Sequence, residues 1–186
     1  MSVREVPADR LVVTNHGVAT ATRQHLAPLM SSNTAEWYTP LHVLNAACAA
    51  LGGRIDLDPC AEPARAVPAS QHFTLAEDGL VRPWMGTVYL NPPYGRDIIK
   101  WTGKLRRDYD AGRVSAAVAL LPARTDTAWW AGLRVDWLCL IRGRLSFSDH
   151  ATNAPFPSAA VYLGRDGESF RTAFTPLGPV YRRVAG

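Results

Sequence analysis

The segment Val114-Ser115-Ala116-Ala117-Val118-Ala119-Leu120-Leu121 is apolar except for Ser115 and stops at Pro122. A run this short and this apolar suits a strand buried on both faces, as in the middle of a parallel sheet. Such a strand needs helices on both sides of the sheet, and helical spacing is present in the chain. Ile98, Trp101, Leu105 and Tyr109 share one face of a helix expected from about Asp97 to Asp110, and Gly112 ends it. Leu41, Leu44, Cys48 and Leu51 share another, with Thr39 as N-cap, Pro40 in the first turn and Gly52-Gly53 as the stop. Arg54–Asp58, His72–Leu75, Thr87–Leu90, Val135–Ile141 and Ser158–Leu163 read as further strands. Thr125-Asp126 is placed to cap a short helix through Trp129 and Trp130, and 142–157 reads as a polar loop or hairpin. Strands alternating with helices predict an α/β fold with a mostly parallel sheet and helices on both faces.

At 186 residues the chain suits one domain. Residues 1–35 have weak periodicity and read as a flexible arm or loosely docked extension, with the compact part at 36–186. No apolar stretch approaches the roughly 20 residues of a membrane helix, and residues 1–35 lack a signal-peptide core, so a cytoplasmic location without a membrane partner is expected. Cys48, Cys60 and Cys139 are widely spaced, and neither they nor the 5 His show zinc-ligand spacing. Reduced thiols and no metal are expected. The net charge is +4, and all but Lys100 and Lys104 of the 20 basic residues are Arg, the side chain that grips phosphate in a fork. That composition leans toward a nucleic-acid partner.

Asp58-Pro59-Cys60, Asn91-Pro92-Pro93-Tyr94 and Pro122-Ala123-Arg124-Thr125-Asp126 each follow a strand directly. In a parallel sheet such ends lie along one rim, where α/β proteins bind ligands. Consecutive prolines fix φ near −65° and donate no hydrogen bond, so strand and helix both stop there. What is left at the strand end is the Asn91 amide, the carbonyls of Asn91 and Pro92, and the Tyr94 ring. Acceptors beside an aromatic face suit a flat ring that bears an amine. Read alone, the same four residues serve equally as a rigid turn with a buried aromatic.

Asn91-Pro92-Pro93-Tyr94 resembles the catalytic motif of S-adenosylmethionine-dependent amino-methyltransferases. The order Trp37-x-Thr39-Pro40, then Asp58-Pro59, then the Asn-Pro-Pro-Tyr turn is similar too. Leu121–Thr127 with Trp129, Gly143-Arg144 with Phe147, and Ala154-Pro155-Phe156-Pro157-Ser158 resemble the small DNA N6-adenine methyltransferases of bacteriophages and prophages. The similarity runs from about Glu36 to Leu163. One departure stands out: Asp58-Pro59-Cys60-Ala61-Glu62-Pro63 lacks the glycines that methyltransferases usually carry after the first strand.

The resemblance implies a Rossmann-like class I methyltransferase with a late antiparallel strand, S-adenosylmethionine as cofactor, and DNA as partner. It also implies methyl transfer to the N6 amine of a flipped-out adenine. Asn91, Pro92, Pro93 and Tyr94 then form the catalytic turn, and Trp37, Thr39, Pro40, Asp58, Pro59, Asp78 and Asn91 the cofactor side. Asp58 is a candidate for the methionine ammonium, with a solvated strand-end carboxylate as the alternative. Asp78 is a candidate for the cofactor's ribose or adenine, or else a turn residue. Phe73 packs on the cofactor or in the core, and Thr39 is explained by its capping position alone. Tyr94, Arg124, Arg142 and Arg144 are candidates for base and phosphate contacts. Lys100, Lys104 and Arg107 share a helix face suited to phosphates, although Asp108 and Asp110 lie at ion-pairing distance along it.

Similar acceptor geometry also serves RNA, cytosine N4 or protein glutamine, and a nucleic-acid-binding protein that has lost catalysis is a further alternative. The chain has no room for a large separate target-recognition domain, and a monomer or homodimer is expected.

Overall fold

Alternation along the two central strands decides where the helices sit. The structure, a computed structural model, describes residues 39–62, 67–145 and 154–184. Its strands are β1 (Ile55–Asp58), β2 (Ala69–His72), β3 (Gly86–Leu90), β4 (Val114–Pro122), β5 (Trp137–Leu140), β6 (Ser158–Leu163) and β7 (Val180–Arg182). The helices are α1 (Leu41–Ala50), α2 (Ile98–Asp110), α3 (Ala128–Leu133) and α4 (Gly167–Phe174). Tyr89, Val118, Leu120, Ala160 and Tyr162 point to one face, into a core closed by Val43, Leu44 and Ala47 of α1 and Phe170 and Phe174 of α4. Val88, Leu90, Ala117, Ala119 and Leu121 point to the other, against Ile98, Trp101 and Leu105 of α2 and Leu133 of α3. The period of two along each strand thus feeds two cores, and β4 is buried because both faces are covered.

The strands form one sheet in the order β2-β1-β3-β4-β6-β5-β7. Pairs β1–β2, β1–β3 and β3–β4 are parallel. Pairs β4–β6, β5–β6 and β5–β7 are antiparallel. The expected sheet is therefore parallel only in its first half. Two strands, β6 and β7, run against the rest where the sequence predicts one late antiparallel strand. The apolar run of β4 is parallel to β3 on one side and antiparallel to β6 on the other, because purely apolar strands report burial and not direction.

Several boundaries differ from the sequence expectation. The second strand lies at Ala69–His72 instead of His72–Leu75; three of its four residues are polar and all are at least partly exposed at the sheet edge, which hides them from a hydrophobic pattern. The fifth is shorter than Val135–Ile141, covering Trp137–Leu140. Pro40, not Thr39, occupies the N-cap of α1, and no side chain caps it. Thr127, not Thr125-Asp126, precedes α3, and its hydroxyl turns back to the Arg124 carbonyl at 2.8 Å.

Candidate active site

Strand order reverses between β1 and β3: from β1 the chain goes outward to β2, then returns to place β3 on β1's other side. Such a switch point opens a crevice at the carboxyl ends of the two strands. Asp58 ends β1 and Asn91 follows β3, so these two residues flank the crevice. The Pro122–Asp126 segment follows β4, the next strand along the same rim. The three strand ends picked out in the sequence therefore do come together.

Asn91 lies two residues past Tyr89, so its side chain continues the Tyr89 face, toward the start of α1. There Thr39 is buried, and its Oγ1 accepts a hydrogen bond from Asn91 Nδ2 at 3.2 Å. The same Oγ1 lies 2.9 Å from the Tyr89 hydroxyl. Burial pushes the Tyr89 phenol's pKa well above its usual range and keeps it protonated. On the other side of the amide, the Tyr94 hydroxyl lies 3.0 Å from Asn91 Oδ1 and 3.3 Å from the Leu120 carbonyl, as donor. The Tyr94 ring packs edge-on against Phe156, centroids 5.4 Å apart, and touches both cores. The segment Ala154–Ser158 thus reaches the Asn-Pro-Pro-Tyr turn, and the Pro157 carbonyl also accepts the Ala123 N–H at 2.9 Å. The Pro92 carbonyl accepts no hydrogen bond among the described residues.

Asp58 is buried and makes no ion pair among the described residues. Removal from water raises its pKa to about 6, against the lowering effect of the Cys60 N–H, which donates to Oδ1 at 3.1 Å, and of nearby His72. Cys60 in turn donates its thiol to the Asn91 carbonyl at 3.2 Å. Burial, and then the neighbouring Asp58 carboxylate, drive that thiol's pKa well up, so it stays protonated as a donor. The β1 turn and the Asn-Pro-Pro-Tyr turn are joined by this sulfur.

The glycine absent from the first turn has a counterpart elsewhere. A Cβ on Gly79 would sit 1.8 Å from the Pro59 carbonyl oxygen, so the 73–85 loop presses its backbone directly onto the β1 turn. Asp78, beside it, is held with φ 49° while its Oδ1 accepts the Leu80 N–H at 3.1 Å. Its turn function is therefore visible, on a loop that abuts the crevice. Phe73 lies buried in the core on the α2 side.

Arg124, Arg142 and Arg144 are exposed beyond β4 and β5 and form no ion pair among the described residues. Arg96, just past Tyr94, shares that exposure and that lack of an ion pair among the described residues. Lys100 pairs with Asp97, Lys104 with Asp108 and Arg106 with Asp110, while Arg107 is exposed and forms no ion pair among the described residues. Trp129 and Trp130 are both half-buried, at an edge-on centroid distance of 5.6 Å. Trp37 and Phe147 lie outside the described residues.

Cys60, on the rim, and Phe156, in the family-like segment, are named from the sequence without a contact, whereas Tyr89 and Gly79 are not singled out there as parts of the site. The strand period puts Tyr89 and Asn91 on one face, a signal the sequence does carry; the other three act across gaps no local pattern spans. No group of three metal-ligating side chains occurs among the described residues, and none of their helices is long and apolar enough to cross a membrane.

No curated protein matches the chain. A family model does: the one described as DNA N-6-adenine-methyltransferase (Dam) matches residues 27–161, well over half the chain, and takes in the β1 turn, the Asn91–Tyr94 turn, the end of β4 and most of β6. With the crevice between β1 and β3 inside the matched span, the protein belongs to the DNA N-6-adenine-methyltransferase family.

Proposed function

We propose that the protein transfers a methyl group from S-adenosylmethionine to the N6 amine of an adenine drawn out of DNA. The observation that carries this reading is the pairing of Asn91 and Asp58 across the β1–β3 crevice. One side offers amine acceptors, and the other offers a buried carboxylate that forms no ion pair among the described residues. The residues fit the cofactor: Asp58 would hold its ammonium, with Pro59, Asp78, Thr39, Pro40 and Trp37 on the cofactor side. When bound, S-adenosylmethionine supplies an electrophilic methyl group on a sulfonium.

The amine nitrogen of adenine is a weak nucleophile because its lone pair is delocalised into the ring. Asn91 Oδ1 and the Pro92 carbonyl each accept one amine N–H, which favours a pyramidal nitrogen whose lone pair is withdrawn from the ring's conjugation and directed at the methyl group. The same two oxygens stabilise the positive charge that grows on nitrogen as the bond forms. The product cation then loses its proton to water, so no strong base is required of the site. On base entry the adenine amine takes over Oδ1 from the Tyr94 hydroxyl, and the Tyr94 ring stacks on the base. Such stacking is worth about 1–3 kcal/mol, set against the few kcal/mol that extrusion from a duplex costs. Pro93 keeps the turn rigid. Arg124, Arg142 and Arg144 hold the flanking phosphates. Residues 36–186 act as one methyltransferase domain, with 1–35 as an arm.

The test is transfer of labelled methyl from S-adenosylmethionine to DNA, with RNA and total protein as parallel acceptors. Label in N6-methyladenine of DNA is expected. Asn91→Ala lowers kcat by about 10²–10³-fold, the usual size of losing one transition-state hydrogen bond. Binding of S-adenosylhomocysteine stays close to wild type. An unimpaired Asn91→Ala enzyme, or label only in RNA or protein, defeats the reading.

A further inference from the structure

An asparagine amide has two ends that differ chemically and are almost identical in shape. Only one orientation puts the carbonyl oxygen where a target amine can be held; the other presents N–H to N–H and repels it. Something must therefore decide which way Asn91 faces. Its neighbours within hydrogen-bond reach are Thr39 Oγ1 at 3.2 Å from Nδ2 and the Tyr94 hydroxyl at 3.0 Å from Oδ1. The Tyr94 hydroxyl does not decide it, since it gives up Oδ1 when the base arrives.

Thr39 stays. It is buried, one residue before the N-cap of α1, and it is anchored by the fully buried Tyr89 at 2.9 Å. Tyr89 remains protonated, and Thr39 Oγ1 is the one hydrogen-bond partner of its hydroxyl among the described residues. With the Thr39 O–H donated to the Tyr89 oxygen, Thr39 Oγ1 presents only lone pairs to Asn91, and these fit Nδ2 and not Oδ1. We propose that Thr39, held by Tyr89, is a positioning residue that locks the Asn91 amide with its oxygen toward the substrate. This inference rests on the reading of Asn91 as the amine acceptor, and it moves Thr39 from the cofactor side to the catalytic amide.

Thr39→Val alone leaves the Tyr89 phenol buried without a partner and risks the fold. The pair Thr39→Val with Tyr89→Phe removes both polar ends together, a change that is nearly neutral for stability. In steady-state methyl transfer to DNA, the double variant is expected to lose about 10²-fold in kcat, the scale of a misplaced reacting group. Its affinity for S-adenosylhomocysteine stays within about threefold of wild type. Thr39→Ser restores the rate. Asn91→Asp supplies the control, because a carboxylate keeps an acceptor and has no amide to flip. In that background the double substitution costs much less. A wild-type kcat in the double variant overturns the inference, as does a loss confined to cofactor affinity or an undiminished loss beside Asp at position 91.

A second readout does not need turnover. The Asn91 side-chain NH2 in the nitrogen-15 spectrum of the cofactor-free protein should exchange slowly with water in wild type and Thr39→Ser, and quickly in the double variant. Fast exchange in wild type overturns the lock even if the enzyme is active. Absence of methyl transfer by wild type, with a protected amide, instead defeats the proposed function and leaves the lock standing.

Discussion

At Asp58 stability and the proposed cofactor contact pull in opposite directions. Its pKa rises from 3.8 to about 6 because the carboxylate is taken out of water with only the Cys60 N–H and His72 to compensate. Between about pH 4 and pH 6 the folded protein keeps a proton that the unfolded chain has released. Asp58's contribution to stability is therefore whole below pH 4 and declines as pH rises through about 6, a loss on the order of 3 kcal/mol. Asp58→Asn should flatten that part of the stability–pH curve in urea titrations and raise the stability of the cofactor-free protein at about pH 7.5. The same variant should bind S-adenosylhomocysteine more weakly, with an affinity that no longer falls below about pH 6. Wild-type affinity declines there because an ammonium pairs only with the ionised carboxylate. Calorimetry on either side of that pH reads both enzymes. The sequence makes this carboxylate conspicuous as a strand-end Asp before Pro; it does not reveal the burial.

Among the elements, the contact between the 73–85 loop and the β1 turn sets the floor of the crevice. The Trp84 indole N–H donates to the Gly79 carbonyl at 2.8 Å, and the Trp84 ring stacks on Trp101 of α2 at 6.0 Å. The loop is thus pinned from below while Gly79 meets Pro59 from above. Gly79→Ala inserts a methyl where the Pro59 oxygen already stands. It is expected to cost about 1–3 kcal/mol as an overpacking change, seen as a lower urea midpoint, and to weaken S-adenosylhomocysteine binding because the Asp58–Pro59 turn must shift. The strand and helix cores are legible as periodicity: Ile98, Trp101 and Leu105 are buried as their spacing predicts. Thr39 is the instructive miss. Its sequence position satisfies the rule for an N-cap, yet its hydroxyl goes to residues 50 and 52 positions away. Local propensity names what a residue is able to do, and the fold chooses among those options.

At the scale of the whole molecule, the arginines divide into those held by a carboxylate and those without an ion pair among the described residues. Arg54, Arg106, Arg113, Arg134 and Arg171 are each paired with a carboxylate. Arg96, Arg124, Arg142 and Arg144 follow the strands that end at the rim of the crevice and have no carboxylate partner among the described residues. Exposed pairs contribute little to stability, but guanidiniums left free for a ligand along one rim suit a polyanion. Replacing Arg124, Arg142 and Arg144 by Ala should weaken DNA binding about equally for all sequences. The slope of log affinity against log salt should become shallower by about 1 for each phosphate that is no longer neutralised. Fluorescence anisotropy across a salt series measures it. An unchanged slope assigns the phosphate contacts to other residues.

Amino-acid order is enough to dictate the kinds of elements, the two-faced burial of the central strands, the abrupt stop at Asn91-Pro92-Pro93-Tyr94 and the family resemblance around it. These depend on proline geometry, on the periods of strand and helix, and on short motifs, all of which are local. Only the folded chain settles that β6 and β7 run antiparallel, that Gly79 closes on a turn lacking its own glycine, and that Cys60 and Thr39 both hydrogen-bond to Asn91, with Tyr89 on Thr39. Those contacts join segments far apart in the chain, and which side chains meet there is set by sheet order and packing, terms that no short window of sequence contains.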